Sequence, residues 1–410
     1  MEYVKLGNYC TITSSKRIFA HQYVAKGIPF YRSKEIIEKN NKEEISDPLF
    51  ISEDVFKEIS NKYGAPKEGD ILLTSVGTLG IPYFVKNETF YFKDGNLTWL
   101  KDFSNRIFSR YIYYWLSSSF GKASLLQKAI GSSQPAITIE ILKRYKIGLP
   151  EISIQRRIAS ILSAYDNLIE NNNKRIRLLE QMAENLYKEW FVRFRFPGHE
   201  NAEFENGLPK GWEKVTLDKV LSKITTGLNP RKNFKLGEGG NYYVTIKNMG
   251  DNNIFLDENC DKVNDDAIKI INRRSDLRKG DILFSGIGTI GRVYLITIPT
   301  NNWNVSESIF TLRANEKVSK EFLYLLLLSD KLQFYCQQHA QGVAQPGIRM
   351  SELKAFRFCL PTFDLITKFT KSVSGLLSSI HTIRKSNTLL ARQRDLLLPR
   401  LMSGKLEVNV

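Results

Sequence analysis

Residues 67–80, KEGDILLTSVGTLG, return as RKGDILFSGIGTIG at 278–291, an offset of 211 in a chain of 410. The same offset aligns GSSQPAITIEILKRYKIGLP (131–150) with GVAQPGIRMSELKAFRFCLP (342–361), and Val4 and Leu6 with Val215 and Leu217. Around residues 27–35 the offset slips to 213 and then recovers, so the two copies differ by compensating insertions. Repeats of solenoids run about 20–50 residues, so a period this long is that of a duplicated domain. Any function has to account for two similar but non-identical modules in one molecule.

Each copy divides into a mixed α/β globule of about 150 residues and a long segment almost free of helix breakers. Strands are expected at 70–75, 82–85, 96–100, 281–285, 293–296 and 308–313, bounded by Gly, Asn or Pro. Helical patterns follow at 106–128 and 319–338. After Pro150, apolar residues fall at Ile154, Ile158, Ile161, Tyr165, Leu168, Ile176, Leu179, Ala183, Leu186 and Trp190, with Asn172 in the same seam. After Pro361 the seam reads Ile366, Phe369, Val373, Leu376, Ile380, Ile383, Asn387, Leu390, Arg394 and Leu397, ending at Pro399. Both show the three-four spacing of a coiled coil, in which a polar seam residue such as Asn172 or Asn387 fixes register and partner. The expected organisation is a first globule at 1–150, a spacer helix at 151–193, a linker at 194–211, a second globule at 212–361, a spacer helix at 362–398 and a tail at 399–410.

Fifty-nine Lys and Arg against 43 acids give a net charge of +16, a field suited to a polyanion such as nucleic acid. A hydrophobic content of 42% is ordinary for a soluble protein. The scattered Cys10, Cys260, Cys336 and Cys359 form neither a zinc pattern nor a disulfide framework, and read as buried thiols in a reducing cytoplasm. No apolar stretch approaches a membrane span or a secretory leader, which makes a membrane protein unexpected. A helix over 154–190 would be about 55 Å long, or roughly sixteen base pairs of B-DNA. An antiparallel return of the second helix would make a basic, pseudo-twofold ruler for a split DNA site.

The GDIL strand with its GTxG turn, the QPxI…LK…LP segment leading into a long helix, and the LPKGWEKVTL opening of the second module together resemble the DNA specificity subunit of type I restriction-modification enzymes. The resemblance spans nearly the whole chain. It implies two target recognition domains, one per half of a bipartite DNA sequence, with two helices forming an antiparallel coiled coil. It also implies double-stranded DNA, two copies of a methyltransferase subunit and a restriction (helicase-nuclease) subunit as partners. S-adenosylmethionine, ATP and Mg would be bound in those partners and none by this chain, which would not itself be an enzyme.

Motifs for chemistry in this chain are weak. Gly286, Gly288 and Gly291 match GxGxxG, but the first copy has Ser75 at the first position and both loops run into strand-like residues, so a structural turn is expected. No NPPY tetrapeptide or GxxxxGK[ST] loop occurs, and the ExK of Glu352 and Lys354 has no counterpart in the first copy. Ser132, Ser133, Gln134 and Gln345 lie in equivalent loops suited to phosphate or adenine contacts. Lys16, Arg17 and Lys34 in the first module, and Arg231, Lys232, Lys247, Asn248 and Arg349 in the second, are the candidate variable readers. A scaffold joining two protein-binding globules is the alternative from a different class.

Overall fold

The computed structural model describes residues 2–41, 45–131, 135–231, 233–250, 252–342 and 345–408. They divide into two compact units, Met1–Asn171 with Ser386–Val410, and Asn172–Lys385. Each unit holds one α/β module and one part of each long helix. Among the described residues no helix is long and apolar enough to cross a membrane.

In the first unit a four-stranded antiparallel sheet runs in the order Thr11–Thr13, Leu97–Lys101, Ile71–Thr74, Pro82–Phe84. The second unit repeats it as Leu221–Thr226, Ile309–Ala314, Ile282–Ser285, Val293–Leu295. Each sheet is accompanied by a second one, four-stranded in the first unit and three-stranded in the second, with a parallel pair, Ile28–Tyr31 beside Tyr91–Phe92 and Asn241–Val244 beside Trp303–Val305. The repeated GD motif is architectural. Asp70 Oδ2 accepts the Lys67 amide and Asp281 Oδ2 accepts the Arg278 amide, both at 2.9 Å, while Gly69 and Gly280 take the positive φ that closes the turn.

The two helical patterns contain a break. Residues 106–128 form Ser109–Ser117 and Ser119–Leu126, and residues 319–338 form Lys320–Leu328 and Asp330–Gln338. Ser118 and Ser329 occupy the breaks in extended conformation. The Ser118 hydroxyl accepts the Gly121 amide, the N-cap role in which serine competes best with a continuous helix. The connection over 194–211 is not featureless, since Phe204–Glu205 pairs with Leu208–Pro209 and Phe196 lies against Trp212.

The first long helix spans Ile152–Tyr187 and continues as one π-type turn at Lys188–Val192; the second spans Phe363–Met402. Within each unit they pair antiparallel. In the first, Ile158 and Leu162 share a core with Leu398 and Leu401, and Asp166 meets Arg394 at 2.6 Å. In the second, Ile176 packs with Ile380 and Ile383, and Trp190 with Phe369.

Burial corrects the first seam. Leu168 is 46% exposed and Ile161 only partly buried, whereas their neighbours Ile169 (7%) and Leu162 (0%) face inward. The buried row is Leu162, Ile169, Ile176, Ala183 and Trp190, an unbroken seven-residue repeat, flanked by Ile158, Tyr165, Asn172, Leu179 and Leu186. We therefore expect Leu168→Glu to change unfolding free energy by no more than about 0.5 kcal/mol, and Ile169→Glu to cost several times that, read from urea unfolding midpoints.

The second seam, Phe369, Val373, Leu376, Ile380, Ile383, Asn387 and Leu390, is buried or half-buried throughout, but its helix does not stop before Pro399. Proline removes one amide donor, and here the next turn continues with the Ser403 amide bonded to the Pro399 carbonyl. Leu401 and Met402 enter the core of the first unit, which offsets the lost bond.

Candidate nucleic-acid interface

Strand direction brings four connections to one end of each four-stranded sheet. In the first module these are the loop after Thr13, the turn before Leu97, the glycine turn after Thr74 and the loop around Pro135. Bonds knit them together: the Ser75 amide donates to Asn96 O at 2.8 Å, the Ile137 amide to Ser75 O at 2.9 Å, and the Ser14 hydroxyl to Leu97 O at 3.4 Å. The second module repeats the pattern. There the Gly286 amide donates to Ser308 O at 2.9 Å, the Ile348 amide to Gly286 O and the Gly288 amide to Pro346 O, both at 2.8 Å.

The glycine turns are hairpins. Each leads into an antiparallel strand, not into the helix N-terminus that a dinucleotide site requires. Gly77 and Gly288 stand at the turns with φ of 79° and 80° and open space beside the α-carbon, so both modules offer the same unobstructed backbone at this end. The partner loops explain the repeated QPxI segment, since Val76 bridges Ala136 and Ile287 bridges Gly347.

Most of the basic candidates converge here. Lys16 and Arg17 are exposed in the loop after Thr13, and Arg231 is exposed in the equivalent loop after Thr226. Lys34 and Lys247 are the same position under the 213 offset, both exposed, and each precedes a buried cap. The Glu35 carboxylate accepts the Arg32 amide at 2.7 Å and Asn248 Oδ1 accepts the Thr245 amide at 3.0 Å. Asn248 is therefore buried and engaged in a turn. Ser33, beside Lys34, donates to Asn96 O at 3.4 Å, which ties this lysine to the same end of the sheet. Gln345 is exposed in the loop that meets the glycine turn, and Arg349 is exposed at the start of Met350–Ala355. Ser132, Ser133, Gln134 and Lys232 lie outside the described residues.

The structure adds residues that the sequence reading passed over. Phe19 is exposed and stacks on His21 at 5.9 Å, held by its own amide donating to Gln22 Oε1 at 2.9 Å. Asp94 binds Arg17 at 2.9 Å, and Asn229 donates to Glu307 at 2.6 Å. Phe19 carries the cheapest available signal, an aromatic in a Lys- and Arg-containing loop between strands; nothing local to Asp94 announces a partner 77 residues away.

Among the described residues, this end of each sheet offers mainly hydrogen-bond donors and cationic side chains. Burial pushes the Cys10 and Cys336 thiols up to about 12 and Cys260 up to about 11, so they stay protonated at neutral pH. Exposed ammonium groups beside open backbone suit phosphate contacts, which position a protein on DNA without reading sequence. Replacing Lys34 and Lys247 together by alanine is expected to reduce the slope of log affinity against log salt by roughly 0.9 per lost contact. Half-site preference should stay unchanged in the same binding titrations.

A family model described as the type I restriction modification DNA specificity domain matches residues 1–181 and again residues 209–389. The type I restriction enzyme MjaIX specificity subunit of Methanocaldococcus jannaschii is 29% identical over 375 residues, covering 88% of this chain and 82% of that protein. The HindI specificity subunit of Haemophilus influenzae is 23% identical over 423 residues, covering 85% and 90%. A crystal structure of the type I restriction-modification S subunit of M. genitalium covers 98% of this chain and 95% of its own, with a TM-score of 0.57 at 16% identity, a likeness of fold.

Proposed function

The chain belongs to the type I restriction modification DNA specificity family, with one matched segment in each module, and we propose that it reads a split duplex site, one half-site per module. Its role is that of a DNA-recognition subunit. The observation that carries the split-site reading is a shared frame with unshared loops. Both modules present the same sheet end, the same glycine turn and the same exposed lysine, Lys34 or Lys247, while the loop after the first strand differs in nearly every residue. A common frame supplies position and affinity; different loops supply different base choices.

Two copies of a methyltransferase subunit are the partners this reading assigns to the long helices. Leu178 and Leu389, equivalent under the repeat offset, are 61% and 52% exposed on those helices, and a duplicated apolar position suits a duplicated partner. Adenine methylation with S-adenosylmethionine, and ATP- and Mg-dependent cleavage by a restriction subunit, belong on this reading to the partners. Reconstitution with a modification subunit and mapping of methylated adenines on genomic DNA is the test. A motif of two short blocks with a fixed unspecified gap is the expected result, and methylation independent of this chain would overturn it.

A further inference from the structure

We infer that Arg17 reads a guanine in the half-site of the first module, and that Asp94 is the positioning residue that aims it; this rests on the DNA-reading role above. Asp94 Oδ2 accepts only Nε of Arg17, at 2.9 Å. Among the described residues neither terminal amino group of this guanidinium has a partner, and the side chain is 66% exposed against 19% for Asp94. A guanidinium gripped by Nε presents its two terminal N–H groups as a parallel fork, the donor pair that matches O6 and N7 of guanine in the major groove.

The fork is also held firmly from behind. The Lys16 amide donates to the hydroxyl of buried Tyr91 at 3.0 Å, and Ile18 is buried in the core formed by Phe30, Ile51, Ile59 and Tyr91. Arg17 is thus anchored on both sides along the chain. Asp94 is fixed by its own tight turn, in which the Asn96 amide donates to Asp94 O at 2.9 Å and Gly95 takes a φ of 78°.

Among the described residues, the equivalent position of the second module lacks this device, which makes the assignment asymmetric. Strand register sets Ile12 opposite Leu100 and Ile224 opposite Leu312, so Arg17 and Asn229 each stand five residues further on. Asn229 donates to Glu307, and its Oδ1 is enclosed without a partner, so the position equivalent to Arg17 carries no open fork. Guanine discrimination of this kind should be confined to one half-site.

The test uses the full chain reconstituted with its modification subunits, assayed on duplexes carrying every base at each half-site position. Arg17→Ala should lower the preference for guanine at one position by roughly 5- to 150-fold and leave the other half-site intact. Asp94→Ala should do the same in part with the guanidinium still present, and Asp94→Asn, which keeps an acceptor for Nε, should recover most of the preference. A merely structural role would depress all duplexes alike without reordering the bases. Unchanged preferences in Arg17→Ala, or loss spread over both half-sites, would overturn the assignment. A wild-type complex with no two-block preference would remove the DNA-reading role itself, and the assignment with it.

Discussion

Phe369→Ala should destabilise the Asn172–Lys385 unit by about 3–5 kcal/mol, the range for deleting a fully buried aromatic ring from a core. The ring sits 4.7 Å from Phe191, 5.5 Å from Trp190, 6.2 Å from Tyr187 and 6.4 Å from Phe322, mostly edge-to-face. Four aromatic neighbours cannot collapse into the vacated space without leaving their own rotamers, so the cavity term adds to the lost transfer term. For a unit of this size the loss corresponds to a fall in melting temperature of roughly 6–20 °C. Differential scanning calorimetry would measure it; a shift below about 2 °C would mean that the aromatic cluster repacks freely. Phe369→Leu should recover much of the loss, because it restores volume.

Leu401→Ala should cost about 2–5 kcal/mol in the other unit, although the residue lies two positions beyond a proline near the end of the second long helix. Leu401 and Met402 are each about 1% exposed and pack in one core with Val4, Leu6, Tyr111, Ile158 and Leu162. A frayed helix end would tolerate the change; a core residue will not. Urea unfolding followed through the tryptophans of the first module reports it, and a change under about 0.5 kcal/mol would place the last turn outside that core.

The repeat was legible because duplicated glycines and apolar positions serve the same turns in both copies, as the paired Asp70 and Asp281 turns demonstrate. The second seam was legible for the same kind of reason. The first was read one residue off at Ile161 and Leu168 because each has an apolar neighbour, Leu162 and Ile169, and both choices satisfy a three-four spacing. Only continuity with Ala183 and Trp190 decides between them. Pro399 misled because a local rule about amide donors was outweighed by two side chains buried far away in sequence. The convergence of Lys16, Arg17, Lys34, Arg231 and Lys247 on corresponding sheet ends depended on strand order, and no local pattern encodes that. The grip of Asp94 on Arg17 is a contact between two loops and left no periodic trace.

The discontinuity of the first unit bears on synthesis. Its core needs residues 398–402, whereas Asn172–Lys385 is a single uninterrupted stretch. At translation rates of about 5–20 residues per second, the ribosome spends roughly 10–50 s between residue 171 and residue 402. During that interval the nascent N-terminal module carries an unfilled apolar socket, while the later-made unit already has everything its own core requires. The first module emitted is thus the last to be completed, and chaperone dependence in the cell should concentrate on that unfilled socket.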